Sequence, residues 1–495
     1  MSLLAELPLL PWAVALPLGG AALVFVVRPQ AQPIGLAVGL ASAAVGLLLA
    51  LQVATGGAQH HAVGGWGAPL GIDLAADGLS ALMVAMTSVV GLWVSLYASA
   101  YFGAEDGGHQ RAYFWPLWLL LWTALNALFL AADSFNAYVT LELLGLSAVA
   151  LVALAATPAA LGGAMRYLLV GLLGSLLYLL GVGLLYGAAG TVDFRLLATA
   201  PLAGPAAAVA LGLITAGLVL KTALFPFHFW LPPAHASAPA PVSAVLSALV
   251  VKASLYLLLR FWFWVLPEAA TPVVTNLLGL LGALAVIWGG LRALTAERLK
   301  LLVAYSTVAQ LGYLVLVFPL ALGQREGFTA WGGAALLLLA HATAKAGMFL
   351  SAGAILKVAR HDGVAGIDGV AQAMPVTTFA FALAGMSLIG LPPTGGFAGK
   401  WLLLNAALAT GQWWWAAVLL AGSLLAAAYT VRVLTHAFTR LPGEPPACAV
   451  PARLEWSALA LAVTALALGF AAGEILDLLR VGAPVDGPVL MERGR

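Results

Sequence analysis

Residues 221–244 read KTALFPFHFWLPPAHASAPAPVSA. They join two long apolar runs, at roughly 204–224 and 241–265. Pro226, Pro232, Pro233, Pro239 and Pro241 fall within sixteen residues of one another. Proline removes a backbone donor and clashes with the preceding turn, so a helix entering this stretch must open. A second stretch, GLPPTGGFAGK at 390–400, interrupts a later run with Pro392, Pro393, Gly395, Gly396 and Gly399. Opened backbone at membrane depth survives only beside protein or water. Broken helices at corresponding places in two halves point to the ion path of an inverted-repeat transporter. The two breaks lie five apolar runs apart, which makes helices 4–8 and 9–13 the expected repeats.

The rest of the composition agrees with a membrane setting. Hydrophobic residues make up 63% of the chain and charged residues 8%, with a mean hydropathy of +1.03. Soluble domains carry about 25% charged residues. The apolar runs are about twenty residues long, enough to cross a hydrocarbon core of about 30 Å. The reading is an all-α polytopic membrane protein of about fourteen transmembrane helices, broken in the seventh and twelfth. It divides into helices 1–3 (residues 1–112), a first repeat (113–266), a second repeat (273–438) and a last helix (455–479). A Gly- and His-rich gap from Gly56 to Asp73 suggests a small surface hairpin.

A net charge of +2 says little about partners, but the sequence shows no basic patch of the kind a nucleic-acid binder carries, and no nucleic-acid partner is expected. The single Cys448 cannot hold an iron–sulfur cluster, a structural zinc or an intramolecular disulfide, and no cofactor or metal is expected. With Glu6 as the only charge before the first apolar run, the N-terminus reads as a spanning helix rather than a signal peptide. The Lys/Arg bias sets orientation. It assigns Arg28, Arg111, Arg166, Arg292, Arg298, Lys300, Lys357, Arg360, Arg440 and Arg453 to inner loops. Arg195, Arg260, Arg325, Arg480, Arg493 and Arg495 then fall outside, with both termini, in a multi-pass protein of the cell membrane.

Few charges lie well inside a predicted span. They are Glu142 in the fifth helix, Lys221 before the first break, Lys252 in the eighth helix, Lys345 in the eleventh and Lys400 after the second break. Each costs about 2.5–3.5 kcal/mol at the bilayer centre on insertion scales. A snorkelling lysine or a packing ion pair is the alternative for any one of them. For the whole set, a hydrated interior is the better account. Glu142 and Lys221 have the character of a paired acid and base, in which the position of one charge sets the protonation of the other. His341 and Lys345 are four apart and share a helix face. Histidine titrates near neutral pH, which suits a proton step; a merely hydrogen-bonded core histidine is the alternative. His228 and His235, in the opened stretch, are candidates for a proton entry path. Asp73 and Asp77 read as acids at the start of the third helix, serving its dipole. Trp413, Trp414 and Trp415 read as an interfacial anchor.

These motifs resemble the antiporter-like subunits of respiratory complex I, membrane-bound hydrogenases and Mrp-type cation/proton antiporters. The resemblance rests on the stretch from Lys221 through Lys252 to Arg260, on Arg298-Leu-Lys-Leu-Leu-Val-Ala-Tyr-Ser-Thr-Val-Ala-Gln-Leu-Gly-Tyr, on His341-Ala-Thr-Ala-Lys-Ala, and on Gly390-Leu-Pro-Pro-Thr-Gly-Gly-Phe-Ala-Gly-Lys400. It covers roughly residues 70 to 480, with the motifs in order. It implies fourteen helices with two inverted five-helix repeats. It also implies a proton relay in which Glu142 modulates Lys221, followed by Lys252, His341, Lys345 and Lys400. Lysine stands at 400, where the M-type subunit of complex I has glutamate, and the chain after the last helix is short. These two features set it apart from the M-type, the L-type and the Mrp A subunit, and the alanine-rich proline loop and the Gly-Leu-Pro-Pro motif look most like the D-type Mrp subunit or its relatives in hydrogenase-linked complexes.

The expected function is therefore a proton-translocating subunit of an Mrp-type sodium/proton antiporter. Its expected partners are other membrane subunits, the lipid bilayer, protons and sodium. The alternative keeps the pump and changes the driver to a redox complex, complex I or a membrane-bound hydrogenase. An inert membrane scaffold, the reading from another class, gives no reason to keep the buried charges.

Overall fold

The computed structural model describes residues 7–103, 108–202, 204–269, 271–322, 327–359, 361–440 and 450–485. Glu6, Arg325, Arg360, Cys448, Arg493 and Arg495 lie outside the described residues.

Thirteen helices among the described residues are each long and apolar enough to cross a membrane. The first eleven are α1 (Leu9–Val26), α2 (Arg28–Gly56), α3 (Gly78–Tyr101), α4 (Gly108–Leu130), α5 (Ser134–Ala153), α6 (Pro158–Ala189), α7 (Pro205–Ser237), α8 (Ala240–Val265), α9 (Pro272–Thr295), α10 (Leu299–Ala321) and α11 (Gly327–Ala359). Two short helices, Pro375–Ile389 and Gly395–Ala409, together make α12. They precede the last two long helices, α13 (Trp413–Phe438) and α14 (Ala452–Phe470). A helix apolar all round belongs inside a bundle or facing lipid. Here α8, α10 and α11 are almost wholly buried, while α1, α2, α13 and α14 keep broad exposed apolar faces.

Both expected breaks are present. In α7 the first helical piece ends at Thr222, Ala223 turns left-handed (φ 58°), and a 3₁₀ turn, Phe227–Trp230, leads into Leu231–Ser237. The Trp230 indole donates to the freed Leu220 carbonyl at 3.0 Å, which satisfies an acceptor that the missing turn would have used. In α12 the first piece ends at a left-handed Gly390 (φ 87°), and the Thr394 hydroxyl caps the second. Each broken helix packs glycine to glycine against the helix before it. A Cβ at Gly174 of α6 would lie 2.8 Å from the Gly217 carbonyl of α7, and one at Gly333 of α11 would lie 2.9 Å from that of Gly399 in α12. Small residues let membrane helices approach this closely.

The core helix α8 is irregular without proline in its interior. Its turns at Leu246–Val250 and Phe261–Val265 are π-helical. The expected hairpin pairs β1 (Gln59–Ala62) with β2 (Asp73–Ala76), antiparallel in the register Gln59↔Ala76 to Ala62↔Asp73. Asp73 therefore stands in a strand, not at a helix start. Its carboxylate accepts from His60 (3.1 Å) and the Ala68 amide (3.2 Å). Asp77 does cap α3, accepting from the Ser80 amide at 2.9 Å.

Candidate functional site

The buried acid and base of the first half meet. Lys221 Nζ lies 3.2 Å from Glu142 Oε1, which also accepts from the Ser175 hydroxyl of α6. Lys221 is at the end of the first piece of α7, so the break places its ammonium where the helix opens. Gly145, one turn beyond Glu142, keeps α5 thin there: a Cβ would stand 3.7 Å from Lys221 Nζ.

Four further lysines are buried: Lys252, Lys300, Lys345 and Lys400. No carboxylate lies within salt-bridge distance of Lys252, Lys345 or Lys400 among the described residues. Backbone carbonyls and hydroxyls hold their ammonium groups instead. Lys252 donates to the Ser247 carbonyl, inside the π turn of α8, where the wider helix frees acceptors. The Ser247 hydroxyl in turn meets Thr307 of α10 at 2.8 Å. Lys345 reaches the Val303 carbonyl (3.1 Å) and the Ser306 hydroxyl of α10. Lys400 donates to the carbonyls of Leu388 (2.8 Å) and Ile389 (3.1 Å) and to Ser423 (3.1 Å), 4.4 Å from the Tyr313 ring centroid. It thus seats on the carbonyl end of the half-helix Pro375–Ile389, the negative pole of that dipole.

Lys252, Lys345 and Lys400 are all within electrostatic reach of His341, and Lys252 is within reach of Lys345. Both ring nitrogens of His341 are buried with no hydrogen-bond partner among the described residues. Buried imidazoles are normally bonded to protein or to ordered water, so this ring marks a place that water suits. His341 and Lys345 share their face without bonding to each other. His235 is buried, stacks on Phe349 at 5.0 Å, and feels the charges of Lys300, Lys345 and Lys252. Thr222, next to Lys221 in the chain, meets Ser254 of α8, two residues from Lys252, at 2.9 Å. His228 stands apart, stacked on Phe225 at 5.6 Å with Arg292 as its charged neighbour.

Lys300 corrects the sequence reading. It is not an inner-loop cation but a buried side chain donating to the Ala238 carbonyl, just past the α7 break. Its place one residue after the start of α10 is the available signal. Sequence reasoning also passes over the hydroxyls of Ser175, Ser247, Ser306 and Thr307, which carry no mark among so many small residues. Arg260 and Asp77 form a separate clamp. The guanidinium meets both carboxylate oxygens at 2.5 and 2.6 Å, with Ser80 (2.7 Å) and Tyr256 (2.9 Å) completing it. This ties the end of α8 to the start of α3. Asp77 is thus both a helix cap and half of a buried ion pair.

A row of basic groups with a single acid suits proton exchange better than tight cation binding, because lysines carry protons and repel cations. Similarity to known proteins agrees with a transporter fold. The family described as NADH:quinone oxidoreductase/Mrp antiporter, TM, matches residues 131–426. The N-type subunit of NADH-quinone oxidoreductase from Desulforudis audaxviator is 38% identical over 413 residues, covering 82% of this chain and 80% of that one. The D-type subunit of the Na(+)/H(+) antiporter from Bacillus subtilis is 30% identical over 417 residues, covering 82% of each. A chain of the Mrp complex from a Dietzia species superposes with a TM-score of 0.86 at 27% identity, over 97% of this chain and 96% of that one. The chain belongs to the NADH:quinone oxidoreductase/Mrp antiporter transmembrane family.

Proposed function

We propose that this chain is a proton-translocating subunit of a hetero-oligomeric Mrp-type sodium/proton antiporter. Lys221, Lys252, His341, Lys345 and Lys400 form its relay, and Glu142 gates it. The observation that carries the reading is that the buried ammonium groups of Lys252, Lys345 and Lys400 are held by backbone carbonyls and hydroxyls rather than by carboxylates. Lys221 is held by Glu142 and is freed only when that carboxylate moves away, whereas Lys252, Lys345 and Lys400, held by carbonyls and hydroxyls, can give up their protons without stranding a counter-charge. His235 and Lys300, beside the first break, form the uptake end, with His228 at its edge. Lys400, at the second break, forms the release end. Two inverted repeats, helices 4–8 and 9–13, with both termini on the outer side, supply the frame. The paired breaks and paired glycine contacts support it.

The test is ion exchange by the reconstituted complex. Lys252→Met and Lys345→Met should each cut sodium-driven proton flux to below about a tenth of wild type, a rise of ~1.4 kcal/mol or more in the barrier. Flux near wild type in both variants would overturn the relay. The similarity to the N-type subunit supports a second reading, a pump driven by a redox partner. Proton uptake that follows quinone reduction and ignores a sodium gradient would select it.

A further inference from the structure

Leu388 and Ile389 end the first piece of α12, and Pro392 and Pro393 stand four residues further on. In a continuing helix those positions would supply the amide donors for the two carbonyls. Proline has no such donor, so both acceptors stay open at the negative pole of the half-helix. Lys400 fills them, 2.8 Å from the Leu388 oxygen and 3.1 Å from that of Ile389, and reaches Ser423 Oγ at 3.1 Å. The left-handed Gly390 makes room for it, since a Cβ there would stand 2.9 Å from Lys400 Cδ. From α10, the Gln310 amide donates to the same Leu388 carbonyl at 3.1 Å. Gln310 is 1% exposed, and its Oε1 has no hydrogen-bond partner among the described residues. A buried acceptor left idle marks a place where a donor, a water or an ion belongs.

We propose that these oxygens form a binding site for a monovalent alkali cation, sodium in the exchange proposed above, which takes the seat when Lys400 is neutral. The inference rests on that exchange and gives it a place. The ligands are the carbonyls of Leu388 and Ile389, Ser423 Oγ and Gln310 Oε1, with water filling out the shell. Opened carbonyls at the ends of half-helices recur as cation ligands in transporters. All four ligands are neutral, which suits a singly charged ion, whereas calcium takes carboxylates. One positive charge sits on the seat in either state, so the swap asks for no counter-charge. The ionisable groups facing it are Tyr313, itself within electrostatic reach of Tyr429 of α13, and His341 of α11. The seat has an approach: Ile389, Gly390 and Ser423 are half-buried and Leu391 is exposed. A charged Lys400 shuts the cation out. Once it has passed its proton to water at the release end, the neutral amine gives way and repels nothing. Reprotonation through the relay drives the cation off. Proton and sodium thus exclude each other at a single seat, which is the coupling an exchanger needs.

Binding of radioactive sodium to the purified complex tests the site without relying on transport. Lys400→Ala vacates the seat and should bind one sodium more than Lys400→Arg, whose fixed charge keeps it filled. Wild type should match Lys400→Arg at low pH and approach Lys400→Ala as pH rises. Adding Gln310→Leu or Ser423→Ala to Lys400→Ala should weaken the extra site about tenfold. Melting in detergent and retention of the partner subunits show that each variant is assembled. With Lys400 in place, Ser423→Ala should raise the KM for sodium more than it lowers kcat, a split that a merely structural hydroxyl would not produce. No extra sodium in Lys400→Ala, or an extra sodium indifferent to Gln310 and Ser423, would overturn the site. A wild-type complex that moves no sodium against protons would instead overturn the exchange on which it rests.

Discussion

Glu142 and Lys221 should behave as one unit, and a double-mutant cycle measures whether they do. The ammonium and carboxylate are 3.2 Å apart, with side-chain exposures of 8% for the lysine and 22% for the glutamate. At that separation and an effective dielectric constant of about 20, their attraction is ~5 kcal/mol before desolvation. Removing one member of a buried pair typically costs about 3–5 kcal/mol, because the other is stranded. If most of that falls on the transport barrier, Glu142→Gln and Lys221→Met should each slow flux by roughly 10²–10³-fold. The double variant strands nothing. It should be no worse than the poorer single, giving a coupling of about 3–4 kcal/mol. The assay is proton flux in proteoliposomes, with thermal unfolding in detergent as the companion measurement. Losses that multiply in the double variant would show that the two residues act independently, and the gate would fall.

The Arg260–Asp77 clamp gives a separate expectation. Asp77→Asn keeps the α3 cap but leaves the guanidinium without its carboxylate, costing about 3–5 kcal/mol; Asp77→Ala should cost ~1 kcal/mol more for the lost cap. Detergent melts of both variants check the order, and equal midpoints would contradict it. Gly174→Val should force α6 away from the Gly217 carbonyl and from the Lys221 stem. Flux should then fall with assembly intact, whereas wild-type flux would mean that the close approach is dispensable. Asp133 gives a pH signature. Its carboxyl is raised in the fold, so the fold binds that proton more tightly than the unfolded chain, and stability drops as pH climbs from about 3.9 through the raised value. Asp133→Asn should remove that slope. Its melting point relative to wild type should rise across this window, and a constant difference would refute the assignment.

The parts of the fold written into local sequence are legible without the structure. Proline and glycine announce both helix breaks, and runs of about twenty apolar residues announce the spans. Charges as rare as Glu142, Lys221, Lys252, Lys345 and Lys400 stand out against those runs. Partnerships are not legible, because they join distant positions. Arg260 and Asp77 are 183 residues apart, and nothing near either names the other. The π turns of α8 leave no compositional mark, since an i→i+5 turn and an α turn use the same apolar residues. Lys300 reads as a loop residue because Glu297 and Arg298 precede it, and only its contact with Ala238 shows it to be inside. Asp73 reads as a helix start because the hairpin extends to residue 76, one residue short of the true cap at Asp77.

Glu142, Lys221, Lys252, His341 and Lys345 all fall near the midpoints of their spans. A charge crossing the whole bilayer exchanges about 2.3 kcal/mol with every 100 mV of membrane potential. A proton handed among groups at one depth travels across the field rather than along it and exchanges almost none. On the relay proposed above, the interior steps should be nearly blind to voltage. Whatever steepness transport shows against membrane potential must arise in the two short climbs between that mid-depth layer and the surfaces. Current–voltage curves of the assembled complex would thus report on the access routes alone.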